Sequence, residues 1–198
     1  MPTLVVCAGP NGSGKSTVTA RLPMIGYYVN ADRIKSHLNC SDLEAAQNAE
    51  KLREDLLARR EDFTMETVLS RPRNLLLMQR AKESGYYVCC WYILTADPEI
   101  NIRRVKERAA KGQHDVPEDV VRGRYMRALT QLPALFGTCD ELYIFDNSPE
   151  RNQGEYSMIA AWVSGKLELK PNELWPREKL EALVAGNYPS QFLGWKSE

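Results

Sequence analysis

Residues 3–17 read TLVVCAGPNGSGKST. The first six form an apolar run closed by Gly9, the pattern of a strand buried on both faces of a parallel sheet. Residues 9–16, GPNGSGKS, then satisfy the spacing G-x-x-x-x-G-K-[ST]. A helix is expected to follow from about Gly14 to Leu22, where Pro23 stops it. Strand, glycine-rich turn and helix in that order make a phosphate cradle, because glycines let successive backbone N–H groups converge on phosphate oxygens at a helix N-terminus. Gly9, Pro10, Asn11, Gly12, Ser13, Gly14, Lys15, Ser16 and Thr17 are therefore the nucleotide-binding candidates. Lys15 is expected to reach the β- and γ-phosphates, and the Ser16 hydroxyl to ligate Mg²⁺. ATP and Mg²⁺ are the cofactors this implies.

Outward from the cradle the chain alternates between two periods. Strand patterns are expected at 26–30 (GYYVN), 62–68 (DFTMETV), 85–94 (GYYVCCWYIL) and 142–146 (LYIFD). Helices are expected from the capping box Ser41–Glu44 through about Arg60, over 72–84, from Asp97 to Gly112, and from Pro117 through about Leu132. Such alternation predicts right-handed β-α-β units, hence an α/β fold. Its parallel sheet has about five strands with helices on both faces. Residues 158–169 read as a hairpin turning at Ser164-Gly165, and 173–185 as a closing helix. No stretch marks a second domain. We expect one domain over 1–198, with a lid region at about 97–125 and the C-terminal hairpin and helix within about 155–190.

Composition narrows the function classes. Of 198 residues, 43% are hydrophobic and 26% charged, which suits a globular chain with a sizeable core. The formal net charge of zero, without an aromatic and basic stripe, argues against a nucleic-acid partner. No run of 18 apolar residues offers a membrane span. The chain starts on a strand pattern without the flanks of a signal peptide. Its five cysteines are odd in number and lack C-x-x-C spacing, so Cys7, Cys89 and Cys90 read as reduced core residues and the setting as cytoplasmic.

In doubly wound sheets ligands sit at the carboxyl ends of the strands. Asp32 follows the strand at 26–30, and Glu66 falls at the end of the strand at 62–68, so both are expected to face the γ-phosphate. Two carboxylates beside a magnesium-bound phosphate chain make a phosphoryl-transfer site. The competing reading of Asp32 is an N-cap for a helix starting at Arg33; that of Glu66 is an exposed strand-end charge. Arginines complete the set. Arg104 and Arg108 stack at i, i+4, a like-charge pair that a phosphate between them would resolve. Arg124 borders the apolar stripe Val121, Tyr125, Ala128, Leu132, while Arg122 is matched by Glu118. Gly112-Gln113-His114 lies between the two helices, where a lid could hinge.

These phrases together resemble the zeta toxin family of P-loop kinases: AGPNGSGKST (8–17), NADRI (30–34), FTMETVLS (63–70), RVKERAAKGQHDVPEDV (104–120), RGRY (122–125) and DNS (146–148), in family order. The resemblance implies transfer from ATP, with Mg²⁺, to the sugar 3′-hydroxyl of UDP-N-acetylglucosamine or a related sugar nucleotide. It makes Asp32 the general base, with Glu66 and Thr67 positioning the acceptor. Arg104 or Arg108 would stabilise the transferring phosphoryl group, and Asn147 would lie near the adenine. An antitoxin protein is the partner it suggests. The expected activity is thus that of a phosphotransferase with an alcohol acceptor, Lys15, Asp32, Arg104 and Arg108 being catalytic and Glu66, Thr67 and Arg124 binding substrate. A regulatory ATPase without an acceptor is the rival reading, and a nucleic-acid end kinase a weaker one.

Overall fold

The computed structural model describes residues 1–22, 24–112, 116–148 and 156–187. Its elements run β1 (Thr3–Ala8), α1 (Lys15–Thr19), β2 (Tyr27–Val29), α2 (Ala31–Leu38), α3 (Asp42–Arg59), β3 (Phe63–Thr67), α4 (Pro72–Glu83), β4 (Tyr87–Leu94), α5 (Pro98–Ala109), α6 (Glu118–Thr138), β5 (Glu141–Asp146), β6 (Ser157–Val163), β7 (Lys166–Leu169) and α7 (Arg177–Ala185). They build one sheet in the order β2-β3-β1-β4-β5-β6-β7. The first five are parallel; β6 joins β5 antiparallel and β7 completes a hairpin.

The strand order explains the apolar runs. β1 pairs with β3 on one side and β4 on the other, Leu4 lying opposite both Phe63 and Val88. Helices cover both faces, so Leu4, Val6, Ala8, Val88, Cys90 and Leu94 are all fully buried. Burial of one large aliphatic side chain of this kind stabilises by about 1.5–3 kcal/mol. The hairpin turn takes the left-handed region at both Ser164 (φ 52) and Gly165 (φ 75), the pair of conformations a two-residue turn needs to match strand twist.

Three elements differ from the sequence reading. The C-terminal hairpin is not an appendage, because β6 and β7 extend the parallel core to seven strands. The helix after the phosphate loop is shorter, ending at Thr19 in turns through Leu22; Pro23 lies outside the described residues. The helix of the lid region runs on to Thr138 through Pro133, since Leu129, Leu132 and Leu135 are fully buried and that packing outweighs the proline penalty. The capping box at Ser41 is present, with the Glu44 N–H donating to the Ser41 hydroxyl at 3.2 Å and the Ser41 N–H to the Glu44 carboxylate at 2.9 Å.

Candidate active site

The phosphate loop is held open from behind. The Asn101 side chain on α5 donates to the Asn11 carbonyl at 2.6 Å, and the Asn147 side chain beyond β5 donates to the Ser13 carbonyl at 2.8 Å. These close approaches set the glycines. A Cβ on Gly12 would come within 2.5 Å of the Asn101 carbonyl oxygen, and one on Gly14 within 2.1 Å of the Asn147 amide nitrogen. Both residues also have positive φ, at 76° and 90°. Lys15 folds back so that its ammonium donates to the carbonyls of Gly9 and Pro10, at 2.7 and 2.9 Å. Burial lowers its pKa to about 8; Glu66 and Asp32 pull it back up while Arg108 presses it down. Lys15 thus feels the charges of Glu66, Asp32 and Arg108.

Each carboxylate reaches that neighbourhood by a different route. Glu66 lies on β3, and one of its oxygens accepts from the Thr19 hydroxyl at 2.9 Å and the Tyr28 hydroxyl at 2.5 Å. Burial first, and then Glu66, raises the Tyr28 pKa, so the phenol stays a donor. Asp32 is exposed in the first turn of α2, whose N-cap is Asn30: its side chain accepts from the N–H groups of Asp32 (2.8 Å) and Arg33 (3.2 Å). The helix therefore starts at Ala31 and not at Arg33, and Asp32 is left free of capping.

The arginines part company. Arg104 is buried and donates to the carbonyls of Asn147 (2.7 Å) and Ser148 (3.4 Å), so its fork is spent on the loop after β5. Arg108 lies one turn on; its charge presses on Lys15, and its buried Nε has no hydrogen-bond partner among the described residues. The two arginines of the like-charge stack read from the sequence thus differ in their partners: Arg104 is bonded to the loop after β5, whereas the buried Nε of Arg108 is unpaired among the described residues. Arg124 is half-buried, donates to the Asn11 side chain at 3.3 Å, and has its pKa lowered by burial with Arg71 and Arg127 adding to the effect. Arg122 pairs with Glu99 across the helix interface, while Glu118 takes Lys106. Ser16 and Thr17 are exposed at the start of α1. Gln113 and His114, at the expected hinge, lie outside the described residues.

Thr67 is buried. Its hydroxyl oxygen accepts from the Leu69 N–H at 3.0 Å and the Asn74 side chain at 2.6 Å, and its carbonyl accepts from the Gly9 N–H at 3.2 Å. Asn74 in turn accepts from Arg53 at 3.1 Å, and Arg53 also donates to the Glu66 carbonyl at 3.2 Å. Sequence reasoning missed Arg53, Asn101 and Tyr28. Only Arg53 carried a signal, a charge at the i+4 position of the buried stripe Ala45, Ala49, Leu56, Leu57.

The sequence profile of AAA_33, an AAA domain, matches residues 4–133. The chain belongs to this AAA domain family. The matched span of the AAA domain begins on β1 and ends within α6, so it takes in the phosphate loop, both carboxylates and the arginines. An uncharacterised protein from Haemophilus influenzae is 34% identical over 123 residues, covering 59% of this chain and 88% of that protein. Among solved structures, AvrRxo1-ORF1:ORF2 with ATP superposes at a TM-score of 0.71 with 18% identity, covering 96% of this chain. The PezAT toxin–antitoxin system of Streptococcus pneumoniae superposes at 0.54 with 16% identity, covering 94% of this chain and 84% of that one. This chain spans 65% of the length of the matched chain of that AvrRxo1 complex. These likenesses are of fold, and the fold of this AAA domain is P-loop kinase-like.

Proposed function

We propose that this chain is an ATP- and magnesium-dependent kinase that transfers the γ-phosphoryl group to a hydroxyl of a small molecule. The observation that carries this reading is the glycine-lined phosphate loop closed by Lys15, with Glu66 fixed on β3 by the Thr19 and Tyr28 hydroxyls. Asp32, exposed and free of capping, takes the proton from the acceptor hydroxyl. Glu66, fixed by Thr19 and Tyr28, orients the acceptor. Arg108 and Lys15 hold charge on the transferring group, which is where such sites gain most of their rate. Thr67 supports the site from within, through Asn74 and Gly9. Arg104 supports it through the Asn147 loop, which flanks the adenine, and Arg124 guards the cradle through Asn11.

Among the described residues no group of three His, Cys, Asp or Glu is assembled for a metal ion. Magnesium carried in with ATP would be held by the Ser16 hydroxyl, with Asp32 and Glu66 the near carboxylates. Bound there, the ion neutralises charge on the phosphate chain. The zeta toxin resemblance makes UDP-N-acetylglucosamine or a related sugar nucleotide the favoured acceptor. The same resemblance, with the fold shared with a toxin–antitoxin system, supports an antitoxin partner. The cytoplasm is the setting proposed; no described helix is long and apolar enough to cross a membrane.

The test is incubation of the full chain with γ-labelled ATP and a panel of hydroxyl acceptors that includes UDP-N-acetylglucosamine. Label should pass to an acceptor, and a folded Lys15→Ala chain should pass none. Release of phosphate with no labelled acceptor in any arm would turn the reading toward an ATPase.

A further inference from the structure

β7 closes the sheet at the edge opposite β2, and no strand lies against its outer side among the described residues. Its register fixes which backbone groups are left over. Lys170, just past β7, donates its N–H to the Ile159 carbonyl at 2.8 Å, so these two residues form a hydrogen-bonded pair. Such pairs alternate along an antiparallel ladder, and the next two are Ala161 with Glu168 and Val163 with Lys166. The backbone groups of Lys166 and Glu168 are therefore spent on β6, while the N–H and C=O of Leu167 and Leu169 point out of the sheet. Side chains alternate as well. Lys166 and Glu168 stand on one face, both exposed, and Leu167 and Leu169 on the other. Leu167, opposite Trp162, is 41% exposed, although Trp162 and Leu169 pack on the main core.

We infer that β7 is an interface between two copies of this chain, which join their sheets edge to edge in antiparallel fashion. An edge with free donors and acceptors beside an uncovered leucine is a template for another strand. Lys166-Leu167-Glu168 is its own antiparallel complement. A two-fold axis at Leu167 pairs it with Leu167 of the second copy, each donating to the other's outward carbonyl. Lys166 then faces Glu168 of the second copy, and Glu168 faces its Lys166. Both charge pairs fall at non-hydrogen-bonded positions, where Cα atoms approach to about 4.5 Å and side chains meet most closely. Moving the axis to Lys166 or to Glu168 would set like charges opposite, so the charges select this register. On the other face the two Leu167 side chains cover each other. Within one copy Glu168 already meets Lys170 at 3.5 Å, and Lys166 of the second copy joins that exposed pair. Four residues a side make a small interface, so the dimer is weak and forms reversibly. Three strands, β4, β5 and β6, separate β7 from β1 and its phosphate loop, so the inference does not depend on the kinase reading.

The experiment is sedimentation velocity on the full chain at low salt, from micromolar to millimolar concentration. The unaltered chain should pass reversibly from monomer to dimer. Lys166→Glu alone and Glu168→Lys alone each set two like-charge pairs across the axis, and each should weaken the dimer about tenfold or more. Mixed in equal amounts, the two variants present opposite charges at both pairs, and association should return to that of the unaltered chain. Both positions are exposed, so each variant should keep the Tm of the unaltered chain when measured dilute. A chain that stays monomeric throughout, single variants that dimerise as the unaltered chain does, or a mixture no tighter than its components would each overturn the inference.

Discussion

At Lys15, burial and function set opposite demands on one proton. Its pKa of about 8 in the free protein lies below the ordinary lysine value of 10.5. Between those two pH values the unfolded chain binds more protons than the folded one. The free fold therefore gains stability from this residue as pH rises through that window, and below about 8 the cost of burying the charge is fully present. Phosphates in the cradle favour the charged form. Binding of Mg-ATP near pH 8.5 should thus draw up to about one proton from solution, and almost none near pH 6.5, where the ammonium is charged before and after. Calorimetry in buffers of different ionisation enthalpy reads this directly; equal heats at both pH values would contradict it. At Asp32 the question is which of two duties the carboxylate has. Asp32→Asn should keep Mg-ATP affinity near normal and lose transfer by ~10²-fold or more if Asp32 is the base. Weakened nucleotide binding that recovers with added magnesium would assign it to the metal instead.

Along α5, two arginines one turn apart have opposite expected phenotypes. Arg108→Ala removes a group whose buried Nε has no partner among the described residues, so stability should change by no more than about 0.5 kcal/mol while transfer falls ~10²–10³-fold. Arg104→Ala strips the donors from the Asn147 and Ser148 carbonyls and should cost about 1–3 kcal/mol in urea unfolding. A reversal of the two patterns would exchange their roles. The sequence could not separate them, because i, i+4 spacing gives a shared face but not what lies opposite it. The short helix α2 shows a related limit. None of its residues is fully buried, and its start depends on Asn30, whose capping geometry is legible only once the backbone is seen. The Ser41 box, by contrast, was legible because both of its hydrogen bonds lie within four residues.

For the molecule as a whole, ligand and fold are thermodynamically linked. Mg-ATP at a hundred times its Kd should stabilise the chain by about 2.7 kcal/mol, seen as a rise in Tm, and the Lys15→Ala chain should show little of it. A Tm insensitive to nucleotide would count against the phosphate loop as a binding site. The parallel core was legible because strands buried on both faces must be apolar throughout, as β1 and β4 are. The joining of the hairpin to that sheet was not: β6 and β7 pair through backbone groups, and local sequence says nothing of which edge a hairpin meets. Nor could it reveal Asn101, whose partner Asn11 lies 90 residues away.

Arg104 grips the carbonyl of Asn147, and the Asn147 side chain grips the carbonyl of Ser13, so three segments distant in sequence are joined in series. None can open alone without breaking a link to the next. The amides of residues 11–14 and 147–148 should therefore exchange with deuterium as one cooperative unit, at a common rate, and saturating nucleotide should slow both by the same factor.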